Sequence, residues 1–333
     1  MSEVIGIGVI GVGTFGTLHA QVYQQMEGAK VVAVADVNEA RLREVGAALG
    51  VEGYTDYKEL LARDDIAAVS ICTTDELHVA PALAAAEAGK HMLIEKPLAL
   101  TPDDCDTIIA AAEEAGVRLM VGHILRFDPR YYAARNEIAA GGIGDLLHLY
   151  IRRNNVLASA QRLAAHTSVL FFLGIHDLDY ILWCAGALPE RVYAQSVSRL
   201  VEGTPDAVQA ILTFPGGTVA SLEASWVLPA LHPRGLDARF DAVGTAGAVY
   251  VNGSGDDVSF IGERVSVPSL FYAPELIGRR VGILPDELAH FCQCVREGRQ
   301  PLVGGSDGRA AVRVACAIQA SYESGAPVPL KDE

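Results

Sequence analysis

The chain opens on an unbroken apolar run, Val4 to Ile10, that stops at Gly11-Val12-Gly13-Thr14-Phe15-Gly16. Such a run predicts a strand buried on both faces that feeds a glycine turn and then a helix. A second apolar run, Val31 to Ala35, is followed by a helical segment from about Asn38 to Leu49, with Asn38 placed to cap it and Gly50 to stop it. The alternation continues with a short helix over 56–61, a strand over 67–72, a helix over 77–88 closed by Gly89 and a strand over 91–94. Thr101-Pro102 then opens another helix, and 117–121 reads as a further strand. Strands separated by helices predict a doubly wound, mostly parallel α/β sheet over residues 1–121.

Beyond Gly122 the pattern changes. Strand-like segments follow one another at 146–154, 192–198, 208–214, 218–226, 238–243, 248–251 and 258–261, joined by Gly, Pro and Asp. Runs of strands predict a largely antiparallel sheet, here an α+β domain over 122–333 with helices around 168–184, 286–296 and 307–321. A chain of 333 residues is long enough for two cores, and the cleft between two such domains is the expected ligand site.

The opening motif has a chemical reading. The first glycine allows a tight turn, the second lets a pyrophosphate approach the backbone, and the third lets helix and strand pack closely. Asp36 ends the second strand 20 residues after Gly16, where a dinucleotide fold places the carboxylate that accepts ribose hydroxyls. That carboxylate repels a 2′-phosphate, so NAD is favoured over NADP; Arg41 and Arg43, a turn further on, keep NADP as the lesser alternative.

Three further constellations follow. Thr73 and Thr74 stand at a strand's carboxyl end, where hydroxyls can meet cofactor phosphate or ribose, although Thr74 or Asp75 would equally serve as helix caps. Glu95-Lys96-Pro97 closes the next strand; a lysine there can hold a substrate hydroxyl and stabilise the developing alkoxide, and the proline can be cis. The bland alternative is a surface ion pair. In Gly174-Ile175-His176-Asp177-Leu178-Asp179, His176 is the side chain suited to proton exchange, unless it is a hydrogen-bonded core residue. Asp179 and Phe172 share its helix face, while Asp177 points about 100° away. On the strand 146–154, His148, Tyr150, Arg152 and Asn154 share one face, and the loop after it carries Gln161, Arg162 and His166. Arg152 and Arg162 suit a carboxylate or phosphate, or else line a solvated sheet edge. Trp226 and Tyr272 could stack on a sugar, Trp226 being equally suited to the core.

Composition narrows the partners. A net charge of −15 excludes a nucleic-acid or anionic-membrane surface, and no apolar run approaches the ~20 residues of a membrane span. With no cleavable leader pattern, the expectation is a cytoplasmic protein. Six scattered cysteines without histidine partners at ligand spacing read as reduced thiols, with no metal site.

Together these motifs, with Gly122-His123-Ile124-Leu125-Arg126-Phe127, resemble the glucose–fructose oxidoreductase/inositol dehydrogenase/rhizopine-catabolism family, Gfo/Idh/MocA, over nearly the whole chain. The resemblance implies a Rossmann domain followed by a domain with an open-faced sheet, through which homodimers or homotetramers assemble. It implies NAD(P)-linked oxidation of a secondary hydroxyl of a sugar, cyclitol or sugar derivative. The alternatives are a ketose or anhydrosugar reductase working in reverse and a dinucleotide-binding sensor without turnover. It assigns Lys96 to the substrate and His176 to acid/base catalysis. Cofactor contacts are expected from Gly11, Gly13, Thr14, Phe15, Gly16, Asp36, Val37, Thr73, Thr74, His78, Glu95 and Lys96, and substrate contacts from Lys96, Arg126, Arg152, Asn154, His176 and Asp177. The family's dehydrogenases commonly carry Asp four residues before this histidine, where this chain has Phe172. The segment around Arg126 is similar to the branch acting on sugar nucleotides and amino or uronic sugars.

Overall fold

A computed structural model describes residues 4–254, 258, 260–261, 265–267 and 270–330. The chain forms two compact units, Met1–Phe127 with Leu270–Arg309, and Asp128–Ser269 with Ala310–Glu333.

In the first unit, strands β1 (Ile5–Ile10), β2 (Ala29–Ala35), β3 (Glu52–Tyr54), β4 (Ala68–Ile71), β5 (His91–Ile94) and β6 (Leu119–Val121) form a sheet in the order β3-β2-β1-β4-β5-β6. Every pairing is parallel. Helices α1 (Thr14–Gln25), α2 (Glu39–Leu49), α3 (Tyr57–Leu61), α4 (Val79–Glu87) and α5 (Pro102–Glu114) make the crossovers. This is the doubly wound Rossmann arrangement, reversing direction between β1 and β4. The expected caps form: Asn38 accepts from the N–H groups of Ala40 and Arg41, and Thr101 from that of Asp104. The short edge strand β3 is an addition to the expected order, and α4 is shorter than 77–88 because a 3₁₀ turn, Asp75–Leu77, precedes it.

The second unit begins with α6 (Pro129–Ala139), which the sequence reading left out although Asp128 caps it and Pro129 opens it. Next come β7 (Leu146–Val156), α7 (Leu157–Leu163) where a loop was expected, a π-helical turn (Leu170–Gly174) and α8 (Ile175–Ala185). Strands β8 (Arg191–Val197), β9 (Ala207–Thr213), β10 (Val219–Leu228), β11 (Leu236–Gly244) and β12 (Ala248–Asn252) follow. Two short hairpins pair β13 (Phe260–Ile261) with β14 (Val265–Ser266) and β15 (Glu275–Leu276) with β16 (Arg279–Arg280). Of the strand expected over 258–261, residue 259 lies outside the described residues. The β15–β16 hairpin and α9 (Ile283–Glu297) belong to the first unit, and the chain closes with α10 (Gly305–Ser324) and β17 (Val328–Pro329).

The large sheet runs β12-β11-β7-β10-β9-β8-β17, antiparallel throughout except for the β10–β7 pair. One face buries Leu149, Ile151, Ala220, Leu222, Phe240 and Ala242; α8, whose Leu178 and Ile181 are buried, packs against β7 and β10. The opposite face is open, with Tyr193, Val197, Ile211 and Tyr250 exposed on it.

A single boundary at 121/122 describes the chain differently from these units, which it crosses at 127/128, 269/270 and 309/310. The physical reason is α9. Its stripe of Leu284, Leu288, Phe291 and Cys292 joins the core built by Ile7, Val9, Val31, Leu93 and Met120, which draws residues 270–309 into the first unit.

Candidate functional site

Each glycine of the opening turn does a separate job. Gly11 has φ +85°, and a Cβ there would lie 2.7 Å from the Cys72 carbonyl oxygen. A Cβ on Gly16 would collide with the Gly11 carbonyl, so α1 can approach β1 only without a side chain at that position. Gly13, which caps α1, meets nothing within 4 Å, leaving the first N–H groups of α1 open to an anion. Thr14 and Phe15 are exposed on that first turn, and Phe15 stands edge-on to Tyr272 at 6.3 Å.

Asp36 ends β2 beside this turn. Its Oδ2 accepts from Val12 N–H and its Oδ1 from Asn38 N–H, both at 2.8 Å, which fixes the carboxylate while leaving lone pairs for ribose hydroxyls. Val37, next to it, is 90% exposed. Arg41 is occupied: it donates to the Val12 carbonyl, Thr17 Oγ1 and Glu44, while Arg43 pairs with Glu39. The cradle therefore fits NAD, with an anion site at α1 and a carboxylate where a 2′-phosphate would need a cation.

At the carboxyl ends of β4 and β5 the side chains range from buried to exposed. Thr73 Oγ1 is buried without a hydrogen-bond partner among the described residues, and Thr74 is exposed and makes no side-chain cap. His78, expected at the cofactor, is buried instead, with Nδ1 2.7 Å from the Pro97 carbonyl and Nε2 3.3 Å from that of Thr73. It ties the two strand-end loops together. The Lys96–Pro97 bond is cis, and Lys96 is largely buried. Glu95 Oε2 accepts from Lys96 N–H at 3.2 Å, and Oε1 lies 3.0 Å from His19 Nε2. Burial alone would raise the Glu95 carboxyl, but His19 and Lys96 outweigh it and hold the group below its ordinary value. His19 Nδ1 reaches Ser70 Oγ at 3.3 Å, and Tyr23 joins the same hydroxyl at 3.0 Å. The sequence reading missed His19, Tyr23 and Ser70; a histidine and a tyrosine one turn apart on α1 were the available signal.

Arg126 is buried and already paired. It donates to Asp307 at 3.0 Å and to the Leu302 carbonyl at 3.3 Å inside the first unit, partners that compete with the expected substrate contact.

In the second unit, His176 is half-buried on α8, one residue before Asp177. Asp177 is fully buried and takes three hydrogen bonds from Arg153 at 2.8 to 3.1 Å, so it anchors α8 to β7 and has no role left toward a substrate. Burial pushes its carboxyl up, and the guanidinium opposes that. Phe172, on the π-helical turn, packs against Trp226 with ring centroids 6.4 Å apart. Trp226 is core, donating Nε1–H to the Pro205 carbonyl at 2.9 Å.

Arg152 and Asn154 require a correction from strand alternation. Arg153 points at α8, so its neighbours on β7 point to the opposite, open face of the sheet. There Arg152 pairs with Asp237 at 3.0 Å, and Glu223 accepts from Asn154 at 2.7 Å and from Tyr150 at 3.1 Å. The structure thus separates Arg152 and Asn154 from His176 by the thickness of the sheet. Gln161 and Arg162 fall on α7 rather than in a loop.

Residues 5–123 match the Gfo/Idh/MocA oxidoreductase family with its NAD-binding Rossmann fold, and residues 131–250 match the Gfo/Idh/MocA C-terminal domain. The chain is 30% identical to scyllo-inositol 2-dehydrogenase (NAD(+)) of Bacillus subtilis over 99% of this chain and 97% of that one. It is 29% identical to myo-inositol 2-dehydrogenase of Thermotoga maritima over 98% of each. The crystal structure of a probable dehydrogenase from Thermotoga maritima superposes with a TM-score of 0.83 at 27% identity, covering 98% of both chains.

Proposed function

Because the chain belongs to the Gfo/Idh/MocA oxidoreductase family, we propose that it is an NAD-dependent dehydrogenase that oxidises a secondary hydroxyl of a cyclitol, sugar or sugar derivative. The observation that carries this reading is the cradle of Gly11, Gly13 and Gly16 beside the backbone-held carboxylate of Asp36. The inositol dehydrogenases among its relatives support the substrate class.

In this reading the open N-terminus of α1 holds the pyrophosphate, and Asp36 takes the ribose hydroxyls. When bound, the nicotinamide supplies the hydride acceptor. Lys96 holds the substrate oxygen and stabilises its developing negative charge. His176 removes the hydroxyl proton, and Arg153 and Asp177 fix the helix that carries it. Phe172, four residues before His176 in the chain, is half-buried against the core ring of Trp226, and its ring suits an apolar ring face on the substrate.

The test is NADH absorbance across inositols, aldoses, uronates and sugar nucleotides, with the matching ketones and NADH to set the direction. Turnover of a member of the panel is expected; dinucleotide binding with silence throughout would favour the sensor, to which Phe172, four residues before His176 in the chain, lends its one support.

The same reading includes self-association through the open sheet face, where Tyr193, Ile211 and Tyr250 are exposed. A monomer by light scattering would overturn it. Six cysteines outside any disulfide suit a reducing cytoplasm, and among the described residues no helix is long and apolar enough to cross a membrane.

A further inference from the structure

We propose that Glu287 is a redox-linked proton site, releasing a proton to the medium when oxidised cofactor binds and keeping it when reduced cofactor binds. The inference rests on the NAD reading above and adds to it a group that the hydride chemistry does not use.

Glu287 lies on α9 within the stripe of Leu284, Leu288 and Phe291 that enters the core of the first unit, and it is 0% exposed. Neither carboxyl oxygen has a hydrogen-bond partner among the described residues. An ionised carboxylate so placed has lost its water and gained nothing, so the resting form is the neutral acid. Burial and the Glu95 carboxylate both push its titration well up. The titratable groups around it are Tyr23 of α1, Cys72 after β4, Glu95 after β5 and Tyr272. Behind Glu95 stand His19 and Lys96.

The strand order relates that neighbourhood to the cofactor. A dinucleotide with its pyrophosphate at the glycine turn after β1 and its adenosine half drawn by Asp36 toward β2 would extend its nicotinamide half toward β4 and β5, whose ends carry Cys72 and Glu95. Oxidised and reduced nicotinamide differ there by one positive charge. In a medium of low polarity that charge acts over several ångströms without contact, so full burial of Glu287 is no obstacle. A positive charge favours the carboxylate, whereas the neutral reduced ring leaves the acid protonated. Higher pH, which also favours the carboxylate, must then favour oxidised over reduced cofactor.

The test measures Kd for NAD+ and NADH between about pH 6 and 9 on the full chain and on Glu287→Gln, which is neutral at every pH and similar in shape. For the natural sequence the ratio Kd(NAD+)/Kd(NADH) is expected to fall by roughly tenfold as pH rises. In Glu287→Gln the ratio should be flat. A flat ratio in the natural sequence overturns the proposal. So does an equal slope in the variant, which would move the proton to His19 or another neighbour. Calorimetric proton counts on the unaltered chain, in two buffers of different ionisation enthalpy, decide the matter even if the variant does not fold: greater release with NAD+ than with NADH supports the proposal, equal counts refute it. Failure of both cofactors to bind would instead overturn the dehydrogenase reading.

Discussion

Each unit buries charge, and the two do it differently. In the second, Arg153 and Asp177 close on each other through three hydrogen bonds, and the pair is complete. In the first, Glu95 is held by His19 and by its neighbour's N–H, while Glu287, whose titration it raises, has no hydrogen-bond partner among the described residues. A satisfied buried pair contributes orientation and little else; an unsatisfied one is a group whose charge state a ligand can still change. The contrast separates scaffold from chemistry, and it recurs within α8, where Asp177 is consumed by Arg153 while its neighbour His176 remains half-buried.

That adjacency gives the largest expected effect. His176→Asn should lower kcat by about 10²–10⁴, the usual worth of a positioned proton transfer, while leaving the unfolding midpoint and NAD affinity unchanged. Wild-type turnover in this variant would make His176 scaffold like its neighbour. Asp177→Ala should do the reverse, costing about 3–5 kcal/mol of stability in urea unfolding because Arg153 is left buried and unpaired. Replacing both, as Arg153→Met with Asp177→Leu, should restore most of that loss. If the double replacement is as unstable as the single one, the pair is more than an orienting device.

The contrast also explains what the sequence made legible. Local rules reached the cofactor half: an apolar run, glycines at fixed spacing and a carboxylate at a strand end are set by neighbours in the chain, and Asp36, Asn38 and Thr101 sit as those rules require. Glu287 was open to the same kind of reading. It stands three residues after Leu284 and four before Phe291, which at helical spacing puts a carboxyl inside the apolar stripe of α9. The second unit was harder for a geometric reason. Alternation along β7 divides its side chains into two sets, but which set faces α8 depends on how distant segments pack, so Arg152 and Asn154 were placed with His176 when Arg153 is the residue that turns that way. The pairing of Arg126 was out of reach similarly, because its partner Asp307 is 181 residues away.

Asp36→Ala sharpens the cofactor side with a smaller effect. Loss of the charged acceptor should weaken NAD binding about tenfold and narrow the preference over NADP, as read by the two dissociation constants. Unchanged discrimination would shift that role away from the carboxylate, with Arg41 already committed to Val12, Thr17 and Glu44.

The smallest expected effect is at Arg152. Its ion pair with Asp237 is about one-third exposed on either side, and pairs of that kind contribute at most about 1 kcal/mol. It also stands on the face of the sheet turned away from α8, so nothing it touches orients His176. Arg152→Ala should therefore shift the urea midpoint only slightly and leave kcat/KM within about twofold, the size of change an indirect adjustment gives. Because the same face carries Tyr193, Ile211 and Tyr250, the kinetic comparison has to be made with the assembly state measured alongside. A tenfold loss of kcat/KM with that state unchanged would put Arg152 at the substrate after all, and the division between a chemical face and an open face of this sheet would fail.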